Sequence, residues 1–345
     1  VPTPFISVIF VSYQQKAFVG EALRSILQQD YPAFEVIIGD DGSQDGTREV
    51  IAQELARYRG PAKITFFPAT ANLGLKRNIN RCVAAAQGEI MVMAAGDDVS
   101  QVQRLSQVAD FFAQHPKAYA VYHNARIIGA QGELLRAQWY KEPQPQVYRF
   151  ELRSSNLHQH LPYCGATASY RAPVLKNFPP LMHDGGGEDN ICALRALLLG
   201  EAWILPTMAV DWRWHGANIS HGRRLTAAKD TASVLKRLAG WALGQKIHRR
   251  AQLRDLDYAA KQGLAAVPVV QRARQLVEHV FYLNTLKYHC THPHGRWGTV
   301  WFAARKVLVF SPRSFFKEIS QVMKAVAKKL LPPMLRAKVL NPFNK

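Results

Sequence analysis

The chain has 345 residues, 48% of them hydrophobic, and a formal net charge of +19. That length allows two domains, or one large domain with an extension, and no run of about 18 uncharged apolar residues offers a membrane-spanning helix. Charge is uneven. Through Arg224, 22 Lys and Arg face 20 Asp and Glu, a balance of +2, and from Leu225 onward 22 face 5, a balance of +17. A near-neutral domain over 1–222 and a basic, mainly helical C-terminal region over 223–345 are therefore expected.

The start, Val1-Pro2-Thr3-Pro4, leads straight into a strand without a basic and apolar leader. Cys82, Cys164, Cys192 and Cys290 form no C-x-x-C pair, which fits a reducing cytosol. Phe5–Tyr13 reads as a buried strand. Val19, Leu23, Ile26 and Leu27 then recur at helical spacing over 18–28. Phe34–Gly39 is a second apolar strand, ending in Asp40-Asp41-Gly42-Ser43, and Asp45 and Thr47 open a helix with cap chemistry. Lys63–Phe67 is a third strand, Lys76–Ala86 a helix after the Asn72-Leu73-Gly74 turn, and Ile90–Ala95 a fourth strand. Alternating strands and helices predict a mostly parallel central sheet with helices on both faces.

The fourth strand ends at Gly96-Asp97-Asp98. Such a pair is either a solvated turn or a compensated site, because adjacent carboxylates repel unless a cation or donors offset them. In open α/β sheets ligands bind beyond the carboxyl ends of the strands, and two strands here deliver carboxylate pairs to that edge. Oxygen ligands of this kind suit Mn²⁺ or Mg²⁺ together with substrate phosphates. The first strand is followed by no G-x-G-x-x-G turn and the chain has no Walker-type loop, which favours a sugar nucleotide over a hydride cofactor.

Tyr31-Pro32, Glu35-Val36-Ile37-Ile38, Asp40-Asp41-Gly42-Ser43, Asp45, Thr47, Asn72, Gly74, Asn78, Gly88-Glu89 and Gly96-Asp97-Asp98 stand in one order and register. In that pattern the chain resembles the family 2 glycosyltransferases of the GT-A fold, a nucleotide-diphospho-sugar transferase fold of Rossmann-like type. The likeness is close over about the first 100 residues and looser to about Ser220. It implies that Asp41 meets a uridine-type base with Ser12 and Tyr13 lining the pocket, and that Lys76 or Arg77 approaches the diphosphate. It also implies that Asp97 and Asp98 touch the ribose and bind the metal. Where the family has its first acid in that motif, this chain has Ala95.

Further on, Gln101–His115 reads as a helix, Tyr119–Asn124 and Arg126–Gly129 as strands, and Gln131-Gly132-Glu133 as a hairpin turn. Cys164–Arg171 is a small-residue strand, packed against a neighbour or approached by a sugar. In His183-Asp-Gly-Gly-Gly-Glu-Asp-Asn190, three glycines permit close approach and Glu188 and Asp189 fall at the N-terminus of a helix over 191–199, where acids also favour the dipole. The resemblance makes Asp189 the catalytic base and Glu188 an acceptor contact. Val210–Ser220 resembles a late family segment. Arg213 and His215 are spaced to point the same way from a strand, Arg213 toward phosphate or carboxylate and His215 as a third metal ligand or pyrophosphate contact.

Beyond Arg223, helices are predicted over 227–245, 249–266 and 271–288, with Val267-Pro268 between the last two and a loop at His289–His294. Aromatic and basic residues interleave from Trp297 to Lys329, suiting either an anionic membrane surface or an ordinary solvated helical face. Together the readings describe a hexosyl- or N-acetylhexosaminyl-transferring enzyme. It would be inverting, would use a UDP-sugar donor, and would act on a saccharide or lipid-linked acceptor in cell-surface polysaccharide or lipopolysaccharide synthesis. The expected place is the cytoplasm, or the inner face of the cytoplasmic membrane. The rivals are a degenerate GT-A scaffold and a nucleic-acid-binding protein using the basic tail. The acidic clusters ahead of that tail would repel DNA, and no nucleic-acid partner is expected.

Overall fold

The computed structural model describes residues 3–141, 143–149, 164–182, 187–216, 218, 231–291 and 303. The chain divides into two compact units, Val1–Asn218 with Asp255–Val270, and Ile219–Arg254 with Gln271–Lys345.

In the first unit, β1 (Ile6–Ser12), β2 (Phe34–Asp40), β3 (Lys63–Pro68) and β4 (Ile90–Ala95) are the parallel strands that the apolar runs predict. β1 lies between β2 and β4, with Val8 opposite both Val36 and Val92. Side chains alternate across the sheet. Ile6, Val8, Phe10, Val36, Ile38, Ile90 and Val92 face α1 (Val19–Leu27), α2 (Thr47–Arg57) and the later α4 (Arg104–Gln114) in one continuous core. On the opposite face α3 (Leu75–Ala85) comes so close that a Cβ on Gly39 would lie 2.5 Å from the Asn78 side chain and 2.6 Å from the Cys82 sulfur. Asn78 Nδ2 donates to the Gly39 carbonyl there at 2.7 Å.

Beyond β4 the sheet becomes mixed. Its order is β3-β2-β1-β4-β9-β6-β10-β5, with β5 (Val99–Ser100), β6 (Ala118–Ile128), β9 (Ala168–Arg171) and β10 (Glu201–Arg213). β7 (Leu134–Arg136) pairs with β6, and β8 (Gln146–Arg149) with β10. β9 runs antiparallel between β4 and β6, whereas β6 and β10 are parallel to each other. The two strands expected over 119–124 and 126–129 are one, because the irregularity falls on β10. Its register slips between Leu205 and Met208, around Pro206, which has no N–H to give a ladder. That proline also hides the first half of β10 from a sequence reading. The expected hairpin turn joins β6 to β7, with Gly132 at φ 89°.

The short α5 (Pro173–Lys176) precedes α6 (Glu188–Leu199). Arg195 of α6 is fully buried and its Nε donates to Asp255 Oδ2 at 2.6 Å, while its Nη2 donates to the Pro179 carbonyl at 2.7 Å. Its guanidinium also lies over the Phe178 ring. Asp255 belongs to α7 (Thr231–Gln262), followed by α8 (Val267–Thr291). The two helices expected over 227–245 and 249–266 are therefore one. Pro268 does not separate helices; it sits in the first turn of α8, where a missing N–H costs little. α8 extends through His289 and Cys290, correcting the expected loop there, and residues 292–294 lie outside the described ones, as does the aromatic and basic stretch apart from Ala303. In the second unit Ala251, Ala273, Leu276 and Val277 are buried. Among the described residues no helix is long and apolar enough to cross a membrane.

Candidate active site

At the carboxyl ends of β1 and β2 the first pair of acids divides its work. Asp40 is fully buried. It accepts from Ser43 N at 2.9 Å, Ser43 Oγ at 2.5 Å and Ser12 Oγ at 3.2 Å, and pairs with Arg48 Nε at 3.1 Å. Asp41 receives Leu73 N on one oxygen at 2.7 Å and Gly74 N on the other at 3.0 Å. Burial raises its carboxyl above the ordinary range, against these two N–H donors and Arg81. The 72–74 turn is thus seated on Asp41, and Ala71 presses on Gly42, whose φ of 80° and lack of a Cβ both matter. The chain after β1 is latched to the same loop by Gln14 N to Ser43 Oγ and Gln15 N to Thr47 Oγ1, each 2.9 Å. Tyr13, just past the end of β1, is left 44% exposed.

The second pair follows β4. Ala95 pairs with Val11 as the last residue of the strand, so both acids lie beyond it. Asp98 Oδ1 accepts the Arg213 N–H at 2.8 Å, and Arg213 Nε donates to the Asp97 carbonyl at 3.0 Å. The remaining Arg213 donors go to Glu21 Oε2 at 2.6 Å and to the Gly129 and Ala130 carbonyls at 3.2 Å. Arg213 therefore braces the acid turn from β10, and its guanidinium is engaged within the protein. His215, two residues on, faces the same way. Both lie against the Phe18 ring, and His215 Nε2 sits 3.0 Å from Asp97 Oδ2. Burial and the neighbouring Asp97 raise the Asp98 carboxyl well above the usual range, opposed by the Arg213 N–H and the Arg104 and Arg213 cations.

A third pair of acids opens α6. Gly187 holds φ 83° at the helix N-terminus, and Glu188 and Asp189 occupy the first turn. The preceding His183–Gly186 of the expected glycine loop lie outside the described residues. Asp189 rests on Gly165, where a Cβ would fall 2.4 Å from its Oδ1, and takes the Gly165 N–H. The two carboxyls hydrogen-bond each other. Burial raises both, and Asp189 rises well above its usual value because Glu188 adds to the effect. Cys164 lies within electrostatic reach of Asp98 and Asp189, and burial with these two acids pushes its thiol up to about 12. Lys76, expected near a diphosphate, is only 3% exposed and acts on Glu188, whereas Arg77 is exposed.

The structure thus gathers Asp97, Asp98, Arg213 and His215 at one position, Ser12, Tyr13 and Asp41 at a second, and Glu188, Asp189 and Lys76 at a third. Arg104 and Asn218 were not foreseen. Arg104, 1% exposed, donates to the Met93 carbonyl at 2.8 Å and the Ala166 carbonyl at 2.9 Å, so one guanidinium joins the end of β4 to the loop beneath Asp189. Burial lowers its pKa to about 10, against the pull of Asp98. Asn218 Nδ2 donates to the Arg213 carbonyl at 2.9 Å, and its Oδ1 accepts His215 N at 2.6 Å. A lone Arg at a helix start carries no signal of such a role. Among the described residues no three His, Cys, Asp or Glu gather into a metal-holding cluster. Asp97 and His215 offer one oxygen and one nitrogen side by side. That set fits a divalent cation whose other ligands are substrate phosphates and water.

Residues 7–178 match the family described as Glycosyl transferase family 2. The putative glycosyltransferase EpsE of Bacillus subtilis is 33% identical over 177 residues, 50% of this chain and 58% of EpsE. Among solved structures, Staphylococcus aureus TarS 1–349 in complex with UDP-GlcNAc aligns with a TM-score of 0.51 at 17% identity, covering 92% of each chain. The mannosyltransferase PcManGT of Pyrobaculum calidifontis, in complex with GDP-Man and Mn²⁺, aligns with a TM-score of 0.50 at 17% identity, covering 96% of this chain and 88% of that one. At this identity the structural likeness concerns the fold. The chain spans about a third to two thirds of the length of the curated relatives it matches.

Proposed function

Through residues 7–178 the chain belongs to glycosyl transferase family 2, and from that premise we propose that it is an inverting glycosyltransferase. Its donor is a nucleoside-diphosphate sugar, of the UDP type, and its acceptor a saccharide or lipid-linked saccharide of a cell-surface polysaccharide. The observation that carries this reading is the join, through Arg104, of β4, which ends just before the Asp97–Asp98 turn, to the 165–166 segment on which Asp189 rests.

In this reading Asp41, Ser12 and Tyr13 receive the nucleoside. Asp97 and His215 would hold Mn²⁺ or Mg²⁺, which when bound neutralises the departing diphosphate. Arg213 and Asn218 keep those two side chains in place. Asp189 takes the proton of the acceptor hydroxyl as its oxygen attacks the anomeric carbon, and attack opposite the leaving group inverts that centre. A raised carboxyl pKa suits a base acting near neutrality. The test is Asp189→Asn, which retains nucleotide affinity and loses transfer. Near-normal turnover would remove Asp189 from the mechanism.

The +17 balance beyond Arg224 supports docking on an anionic membrane surface where lipid-linked acceptors reside. Cosedimentation of the full chain with vesicles containing anionic lipid, lost in zwitterionic vesicles and at high salt, is the expected result. Equal binding to both vesicle types would refute it.

A further inference from the structure

His215 reaches the Asp97 turn from a main chain that is firmly held. Asn218 Oδ1 accepts the His215 N–H at 2.6 Å, and Asn218 Nδ2 donates to the Arg213 carbonyl at 2.9 Å. Those bonds fix the backbone and leave the torsions of the imidazole to the groups its ring touches. At its edge, Nε2 lies 3.0 Å from Asp97 Oδ2. Its face meets Phe18, with ring centroids 4.7 Å apart and planes inclined by 34°, inside the range of offset aromatic pairs. The same Phe18 ring carries the Arg213 guanidinium at 5.2 Å, a cation–π distance.

Phe18 is in turn placed by the segment that rests on the acid turn. Phe18 N and Val19 N both donate to the Gln15 carbonyl at 2.9 Å. The Gln15 side chain lies over Gly96, where a Cβ would fall 2.5 Å from its Oε1, and Gly96 immediately precedes Asp97. Three residues beyond Phe18, Glu21 Oε2 accepts Arg213 Nη2 at 2.6 Å. The start of α1 therefore leans on the acid turn and grips the end of β10 with a ring and a carboxylate. Phe18 is only partly buried, so core packing does not by itself call for a ring there.

We propose that Phe18 is a positioning residue for His215. Its ring holds the imidazole with Nε2 beside Asp97, so that the nitrogen and oxygen that would hold the divalent cation stand ready before the cation arrives. This rests on the transferase reading above and names what prepares its metal ligands. A histidine without that face to lie on would lose its rotational freedom only when the cation binds, which weakens binding. Groups that orient a metal ligand from behind are worth about 10- to 100-fold in metal affinity. An aliphatic side chain of similar bulk fills the space, but it offers no flat face to the imidazole and no π-surface to the Arg213 cation.

The experiment is titration of the full chain with Mn²⁺ at saturating UDP, read by the electron paramagnetic resonance of the free ion, in wild type, Phe18→Leu and Phe18→Tyr. Phe18→Leu is expected to weaken Mn²⁺ binding by about 10-fold or more, and Phe18→Tyr, which keeps the ring, to stay within about threefold of wild type. Excess Mn²⁺ should return the UDP affinity of Phe18→Leu to within about twofold of wild type, since only the metal has been weakened. Mn²⁺ affinity in Phe18→Leu within about threefold of wild type overturns the proposal. An equal loss in Phe18→Tyr, or UDP affinity that stays weak at excess Mn²⁺, overturns it as well. The ring is also read without metal. In the metal-free wild-type chain the His215 imidazole NMR signals, assigned by their loss in His215→Gln, should be narrow and displaced by the Phe18 ring current. Averaged, undisplaced signals there overturn the proposal without recourse to any Phe18 variant. A wild-type chain that holds its imidazole in this way yet binds neither UDP nor Mn²⁺ would instead refute the transferase reading, so the two failures are separable.

Discussion

Gly165→Ala tests how tightly Asp189, the proposed base, must be held. Gly165 has an ordinary backbone conformation, so alanine strains nothing in the chain itself. The added methyl would lie 2.4 Å from Oδ1 of Asp189, 3.1 Å from its Cγ and 3.2 Å from Oδ2. Ordinary contact needs about 3.4 Å or more, so the carboxylate must retreat by about 1 Å. Asp189 is too short to swing away without turning its oxygens from the place proposed for the acceptor. A misplacement of about 1 Å at a reacting group costs on the order of 100-fold in rate, equivalent to about 2.7 kcal/mol. Single-turnover transfer should therefore slow by about two orders of magnitude, with UDP affinity unchanged by calorimetry and thermal stability little altered. Transfer within about threefold of wild type would show that the position of Asp189 does not set the rate. A parallel fall in UDP affinity would show that Gly165 serves the donor instead.

Asp189 also makes stability depend on pH. Unfolded, it ionises in the ordinary carboxylate range, whereas the folded group, raised by burial and Glu188, keeps its proton to higher pH. Between those values the folded state binds more protons, so stability falls as pH rises. Asp189→Asn should thus raise the melting temperature at pH 7 and converge with wild type below about pH 4; a lower melting temperature at pH 7 would contradict this. Asp255→Ala strands the fully buried Arg195 and should cost about 3–5 kcal/mol in urea unfolding. A loss under about 1 kcal/mol would show that the carbonyls of Val174 and Pro179 suffice for the guanidinium. A chain ending at residue 222 also lacks Asp255 and should unfold with a comparable deficit.

The first four strands and three helices were legible because each is a run of one period, and their boundaries fall within a residue or two of expectation. The family blocks were legible too, though many of their residues turn out to hold loops. Glu35 accepts the Ser7 hydroxyl and the Gln87 N–H, Tyr31 donates to the Pro4 carbonyl, and Asp40 closes the turn beyond β2. A motif says that a residue is needed, while its hydrogen bonds say for what. Arg213 illustrates the difference, since the spacing located it and only the structure shows its donors committed to Glu21 and backbone carbonyls. Pro206 concealed half of β10 because a strand-breaking residue was absorbed at a register slip. Arg104 could not be placed from sequence, since its role depends on contacts between segments far apart in the chain.

The most direct measurement is thermal unfolding of the full chain with UDP, GDP and their sugars, each with and without Mn²⁺, repeated in Asp97→Ala. At a nucleotide concentration near 100 times the dissociation constant, binding should add about 2.7 kcal/mol, several degrees in melting temperature. The expected result is a shift with one nucleoside diphosphate series that needs Mn²⁺ and disappears in Asp97→Ala. No shift with any nucleotide, or a shift indifferent to both the metal and Asp97, would contradict a donor site at this edge of the sheet.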